Sequence, residues 1–173
     1  MDIGPFIKGL LERNDQIVLK SVTGLTTDDL HKMPTKDTNP AGWLLWHSAR
    51  VQDRAWSAFT GKEQMWIADG WHAKFGMKAD PLESGGGHTL AQVAAFRAPD
   101  LATLLDYYRA CRKAMDGVLD TVTPADLDRQ VPAFRPPATV PMHSRMHAMA
   151  LEVLQHGGQI AYLRGLIKGF GWY

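Results

Sequence analysis

Apolar residues recur at helical spacing through four long stretches of the chain. From Pro5 to Val22, Phe6, Leu10, Ile17 and Leu19 alternate with Lys8, Glu12 and Arg13, and Gly24 stands where such a helix stops. Asn39-Pro40 offers a capping side chain and then a proline at the first helical position. This predicts a second helix from Pro40 to Thr60, ending at Gly61. Asp100 precedes a third periodic run through Leu101, Leu104, Leu105, Tyr108, Met115, Val118 and Leu119. A fourth helix follows Pro141 and runs toward the C-terminus, with Gly157-Gly158 in its middle. Each glycine weakens a helix by about 1 kcal/mol relative to alanine, so close approach of a neighbouring helix or a ligand is the expected reason for the pair.

The connections carry a weak internal repeat. Thr26-Thr27-Asp28-Asp29-Leu30 reads as a short capped turn followed by Met33-Pro34, and Thr123-Pro124-Ala125-Asp126-Leu127 is followed by Val131-Pro132 in the same way. Residues 135–141 read as an extended linker. Glu63 to Gly87 has no regular period and room for one short turn, while Thr89 to Phe96 fits a brief helix. No segment alternates as a strand does. These elements predict an all-α fold, a four-helix bundle in a single domain over residues 1–173. The long connection between the second and third helices lets them run parallel, so the expected topology is up-down-down-up.

Composition narrows the function classes. Nineteen basic residues against 18 acidic ones give a net charge of +1 with no basic run, so no nucleic-acid partner is expected. The N-terminal residues Met1-Asp-Ile-Gly-Pro5 lack the character of a signal peptide, and no apolar run is long enough for a membrane span. The single cysteine, Cys111, rules out an internal disulfide, suits a reducing cytoplasmic compartment, and reads as a small buried residue. Of six tryptophans, Trp43, Trp46, Trp56 and Trp66 crowd into one stretch, which marks the second helix as unusual.

Chemistry is most concentrated in the fourth helix. Glu152 and His156, four residues apart, sit about 40° apart around a helix axis and can close on one metal ion. His143 and His147 lie on the opposite side of that helix and read as surface residues. His47 is flanked by Trp43 and Val51 on an apolar stripe and reads first as a core histidine with a satisfied partner. In a bundle it can also meet the Glu152–His156 pair. Two imidazoles and a carboxylate then leave coordination positions open, as a catalytic site requires, and suit zinc, nickel, iron or manganese. Arg50 and Arg54 are candidates to meet an anionic substrate or thiol, with solvated helix-surface arginines as the default reading. Gln159 is a candidate to orient a ligand or water. Trp66, Trp71 and Phe75 fit either a roof over a pocket or a packing lid. Gly85-Gly86-Gly87-His88 lacks the preceding strand and following Lys-Ser/Thr of a phosphate loop.

Trp43-Leu-Leu-Trp46-His47, with Asp53 and Trp56 after it, and Glu152-x-x-x-His156-x-Gly158-Gln159-Ile160, with Leu163-Arg164-Gly165 after it, resemble the DinB-like metalloenzyme superfamily. The similarity covers nearly the whole chain, and the closing His-Gly-Gly-Gln-Ile-x-x-Leu-Arg-Gly string is its most specific part. It implies a bundle holding a divalent metal through His47, Glu152 and His156. Many relatives have histidine where Glu152 stands, and the glutamate resembles the mycothiol-dependent maleylpyruvate isomerase branch. The activity implied is transfer or isomerisation through a low-molecular-weight thiol, on a small-molecule substrate, with the metal activating the thiol or a water. A homodimer through an apolar helix face is compatible with the family. The alternatives are a non-catalytic metal or small-molecule binding bundle, serving as a sensor or for stability, and a bundle whose polar cluster holds no metal.

Overall fold

Capping and periodicity place the long helices close to where the sequence predicts them. The computed structural model describes residues 3–135 and 137–172, so Met1, Asp2, Tyr173 and Pro136 of the expected linker lie outside it. In chain order the elements are α1 (Ile3–Val22), α2 (Thr27–His31), α3 (Ala41–Thr60), α4 (Met65–Ala68), α5 (Trp71–Lys74), α6 (Leu90–Ala95), α7 (Leu101–Leu119), a 3₁₀ turn (Pro124–Asp126), β1 (Gln130–Pro132), β2 (Thr139–Pro141) and α8 (Met142–Lys168). Asp100 caps α7 by accepting from the Thr103 N–H at 2.9 Å. Gly61 ends α3 in the left-handed conformation, its N–H donating to the Ser57 carbonyl. At the start of α3 the cap is Pro40 rather than Asn39, and it makes no side-chain bond, so the helix begins one residue later than expected.

Contacts between elements set the helix directions. Asp15 meets Arg112 and Lys8 meets Asp120, so α1 and α7 are antiparallel. Asp53 meets Tyr107 while Phe59 packs in one cluster with Met115 and Leu119, so α3 and α7 run parallel. His47 faces Glu152 and His156, and Arg129 bridges the Phe59 carbonyl to Met142, so α8 returns antiparallel to α3. The bundle is therefore up-down-down-up, and the crossover between α3 and α7 makes the parallel pair possible.

Two apolar clusters fill it. One gathers Val18, Leu45, Trp46, Leu104, Tyr107 and Ile160, and the other gathers Leu11, Val51, Phe59, Met115, Met149 and Val153. Each large side chain fully buried here contributes about 1.5–3 kcal/mol. Gly157 explains half of the glycine pair in α8: a Cβ there would collide with the Asn14 side chain of α1. At Gly158 nothing lies within reach of such a Cβ.

The connections depart from expectation in two places. Residues 63–87 form two single-turn helices, α4 and α5, rather than one short turn. The last three residues of the expected linker, Thr139–Pro141, pair with Gln130–Pro132 in a two-stranded antiparallel ladder, with Val131 opposite Val140. Strands of three residues are too short for a side-chain alternation to declare itself in sequence. Thr26 and Thr123, by contrast, each start a capping box, with Asp29 and Asp126 as the reciprocal partners, so the repeated turn is real at the level of backbone geometry.

Candidate metal centre

Helix spacing brings Glu152 and His156 to one face of α8, and the antiparallel packing of α3 presents His47 to that face. Glu152 Oε2 lies 2.9 Å from His156 Nε2 and 3.5 Å from His47 Nε2. One ligand atom from each residue falls within 4.8 Å of the others. Two donors bound at about 2.1 Å to a shared ion stand about 3.0–3.4 Å apart at ordinary coordination angles, and the observed 2.9 and 3.5 Å lie just beyond either end of that range.

The remaining ring nitrogens decide which atoms face inward. His47 Nδ1 is hydrogen-bonded to the Ser84 carbonyl and His156 Nδ1 to Gln159 Oε1, at 2.7 Å in the second case. Both partners are acceptors, so in the neutral form of each ring Nδ1 carries the proton and Nε2 keeps its lone pair, while a protonated His156 would also donate from Nε2 to Glu152 Oε2, 2.9 Å away. Two imidazole Nε2 atoms and a carboxylate oxygen thus converge, and with both rings neutral a cation at their centre satisfies all three. Desolvation by burial holds the His47 pKa below the ordinary imidazole value, helped by His156 and opposed by the Ser84 bond and Glu152. The ring is accordingly neutral at neutral pH, the form that binds metal. The donor set fits a divalent ion of the zinc, nickel, iron or manganese kind.

Neighbours hold these groups in place. Trp43 stacks on the His47 ring with centroids 4.9 Å apart and planes 11° from parallel. Ser84 is delivered by a braced loop in which Glu83 Oε1 accepts from Gly85 N–H at 2.9 Å and lies 3.1 Å from His88 Nε2, while Trp43 Nε1 donates to His88 Nδ1. Gly85 has φ +84°, and a Cβ there would sit 2.5 Å from the Trp43 ring, so this loop can approach α3 only without a side chain. The Glu152 side chain is 44% exposed, which leaves one side of the triad open to solvent. Gln159 also lines a cavity of about 690 Å³ between α8, the start of α3 and the loop after α2, with Leu44, Gln155 and Leu163 on its walls. That volume is in the range of small-molecule sites.

Other expected site residues lie elsewhere. Arg50, expected to meet an anionic ligand, is wholly buried about 60° round α3 from His47, toward α7. Its five N–H groups reach Asp53, Tyr107, Gln64 and the carbonyls of Pro81 and Glu83, so none remains for a substrate. Arg54 stands two turns beyond His47, donating to Ser84 Oγ and the Phe134 carbonyl. Trp66, Trp71 and Phe75 do not roof the triad, because their rings surround Tyr107 at 5.1–5.8 Å on the α7 side. His143 and His147 lie near the start of α8, half-buried and exposed. Cys111 is fully buried, and desolvation raises its pKa well above the usual thiol value.

Glu83, Ser84 and His88 escaped the sequence reading. The available signal was Gly85-Gly86-Gly87, which marks close backbone approach, but its target was invisible because Ser84 acts through its carbonyl, an atom every residue has. Asp53 was visible only as part of a motif. Here its carboxylate accepts from the Met65 and Trp66 N–H groups, Arg50 and Tyr107, which ties the crossover to α3.

The fold agrees with comparisons to known proteins. No curated protein matches the chain. A crystal structure described as that of a conserved protein of Enterococcus faecalis superposes with a TM-score of 0.86 over 98% of this chain and 99% of that one, at 23% identity. It shares the fold. The DinB superfamily profile matches residues 10–160, a span that includes His47, Glu152, His156 and most of the bundle core. The chain is a member of the DinB superfamily.

Proposed function

We propose that the protein is a divalent-metal-dependent enzyme that transfers or isomerises through a low-molecular-weight thiol, with His47, Glu152 and His156 as ligands. The observation that carries this reading is the convergence of two imidazole Nε2 atoms and a carboxylate oxygen beside solvent. A bound divalent ion would lower the pKa of a thiol or water so that its anion exists at neutral pH. The chain's own residues hold that ion and keep its surroundings in shape. Ser84 and Gln159 fix the tautomers of the two histidines, and Trp43 locks the His47 ring. The half-exposed side of Glu152 and the cavity beside Gln159 provide room for a substrate. The nucleophilic sulfur comes from outside the protein, since Cys111 is the only cysteine and is sealed in the core. Its new carbon–sulfur bond forms at an electrophilic carbon of the substrate, and the displaced electron pair leaves with a departing group or moves into the substrate's conjugated system.

The test is elemental analysis of wild type beside His47→Ala, Glu152→Ala and His156→Ala, followed by thiol-consumption assays with electrophilic substrates. About one metal per chain is expected in wild type, with loss in all three variants. Wild-type protein that stays metal-free after incubation with zinc and nickel would sink the proposal. A metal-loaded protein that leaves every thiol and electrophile unchanged would point instead to a binding bundle.

A further inference from the structure

A second polar site lies two turns away on the same pair of helices. Arg54 follows His47 by seven residues and Arg145 precedes Glu152 by seven, so both return to nearly the same face about 10 Å along the bundle. Arg145 is 2% exposed, and its Nε and Nη1 atoms are buried without a hydrogen-bond partner. Its guanidinium lies over the Phe134 ring, 3.1 Å from the centroid, and Arg54 approaches the same ring at 5.7 Å. Among the described residues neither arginine forms an ion pair with a carboxylate. Burial, and then the charge of Arg54, pull the Arg145 pKa down to about 9. Asp80 and Glu83 act on Arg54 from a distance, and Glu83 Oε1 is already engaged by Gly85 and His88.

This is a costly arrangement. A buried charge is ordinarily paired and hydrogen-bonded, as Arg50 is in this same protein with every N–H matched. Arg145 borders a cavity of about 270 Å³ whose wall also includes Arg54, Ser57, Gln64, Leu82 and Ala133. Gln64 gives its Oε1 to Arg50, which leaves its amide N–H groups as further donors beside this cavity. Two guanidinia and a side-chain amide around a small cavity without a carboxylate make a receptor for an oxyanion.

We propose that the cleft bounded by the second half of α3, the start of α8 and the β1–β2 hairpin binds the carboxylate or phosphate group of a small ligand through Arg54 and Arg145. The site does not depend on a metal at the triad. The test uses the full chain, dialysed against a chelator to remove metal, so that it fails or succeeds independently of the proposed function. Sodium phosphate and sodium succinate are titrated calorimetrically in Tris chloride at constant ionic strength, with sodium chloride as the control. Saturable binding of at least one is expected, weakened about tenfold or more in Arg145→Gln and Arg54→Gln, the size that follows from losing a hydrogen bond between charged groups. Phosphate alone identifies a phosphate ester as the ligand class, and succinate alone identifies a carboxylate. Thermal melts without added oxyanion should find Arg145→Met as stable as wild type or more so, since it removes an unpaired buried charge. If Arg145→Met does not fold, Arg54→Gln carries the comparison. Absence of binding by both anions, a response matched by chloride, or binding unchanged in both Gln variants overturns the proposal.

Discussion

Neighbouring faces of α3 carry two buried polar clusters of opposite construction. Around Arg50 and Asp53, five guanidinium N–H groups and both carboxylate oxygens find partners within the chain, and Tyr107 both accepts from Arg50 and donates to Asp53. Around His47, Glu152 and His156, Nδ1 of each ring points outward to Ser84 or Gln159, and Nε2 of each ring turns to the one carboxylate oxygen, Glu152 Oε2. The first cluster is complete and therefore structural. The second draws two ring nitrogens onto a single carboxylate oxygen, could hold a metal ion, and opens to solvent through Glu152. Polar side chains three residues apart on α3, His47 and Arg50, thus end in different settings because of what stands across from them.

The comparison breaks most readily at the complete cluster. Asp53→Ala leaves Arg50 buried and unpaired and should cost about 3–5 kcal/mol, read as a lower midpoint in urea unfolding. An effect under about 1 kcal/mol would mean that the cluster is not the closed structural unit described. At the second cluster the largest effect should come from adding metal. Zinc at about a hundred times its dissociation constant should stabilise wild type by about 2.7 kcal/mol and leave His156→Ala unchanged. Equal stabilisation of both would place the ion elsewhere. Gln159→Ala removes only the group that fixes the His156 tautomer. It should weaken metal affinity about tenfold with the fold intact, measurable by competition with a zinc chelator.

The smallest effect lies outside both clusters and tests whether ordinary ion pairing explains them. Lys168 at 2.5 Å, the Thr26 N–H and Lys32 hold the Asp29 carboxyl far below its usual range. A carboxylate with a depressed folded-state pKa contributes stability that is fully present above about pH 4, its unfolded value, and is lost as pH falls further. Asp29→Asn should therefore cost about 1 kcal/mol at pH 7, and the gap to wild type should close in melts run below about pH 4. A gap that stays constant to pH 2 would assign the cost to the capping box alone.

Much of the site was legible because α-helical periodicity fixes angles within a helix. The pair Glu152–His156 could be placed on one face from spacing alone, and the up-down-down-up order followed from the length of the crossover. Gly157 signalled a close helix contact before its partner, Asn14, was known. Arg50 was misassigned because a guanidinium on a helix looks the same in sequence whether it meets water, a ligand or a buried carboxylate. Trp66, Trp71 and Phe75 were rightly seen as a group, but which helix they cover depends on the path of an aperiodic connection.

The sequence by itself determined the long helices, the Asp100 and Gly61 caps, the class of fold and the shared face of Glu152 and His156, all consequences of interactions within a few residues. Only the tertiary structure decided that His47 meets that pair, that Ser84 holds its tautomer, that Arg50 is sealed and that Arg145 is left unmatched. Those outcomes depend on which atoms lie across a gap between elements distant in the chain, and on whether burial leaves a polar group a partner there.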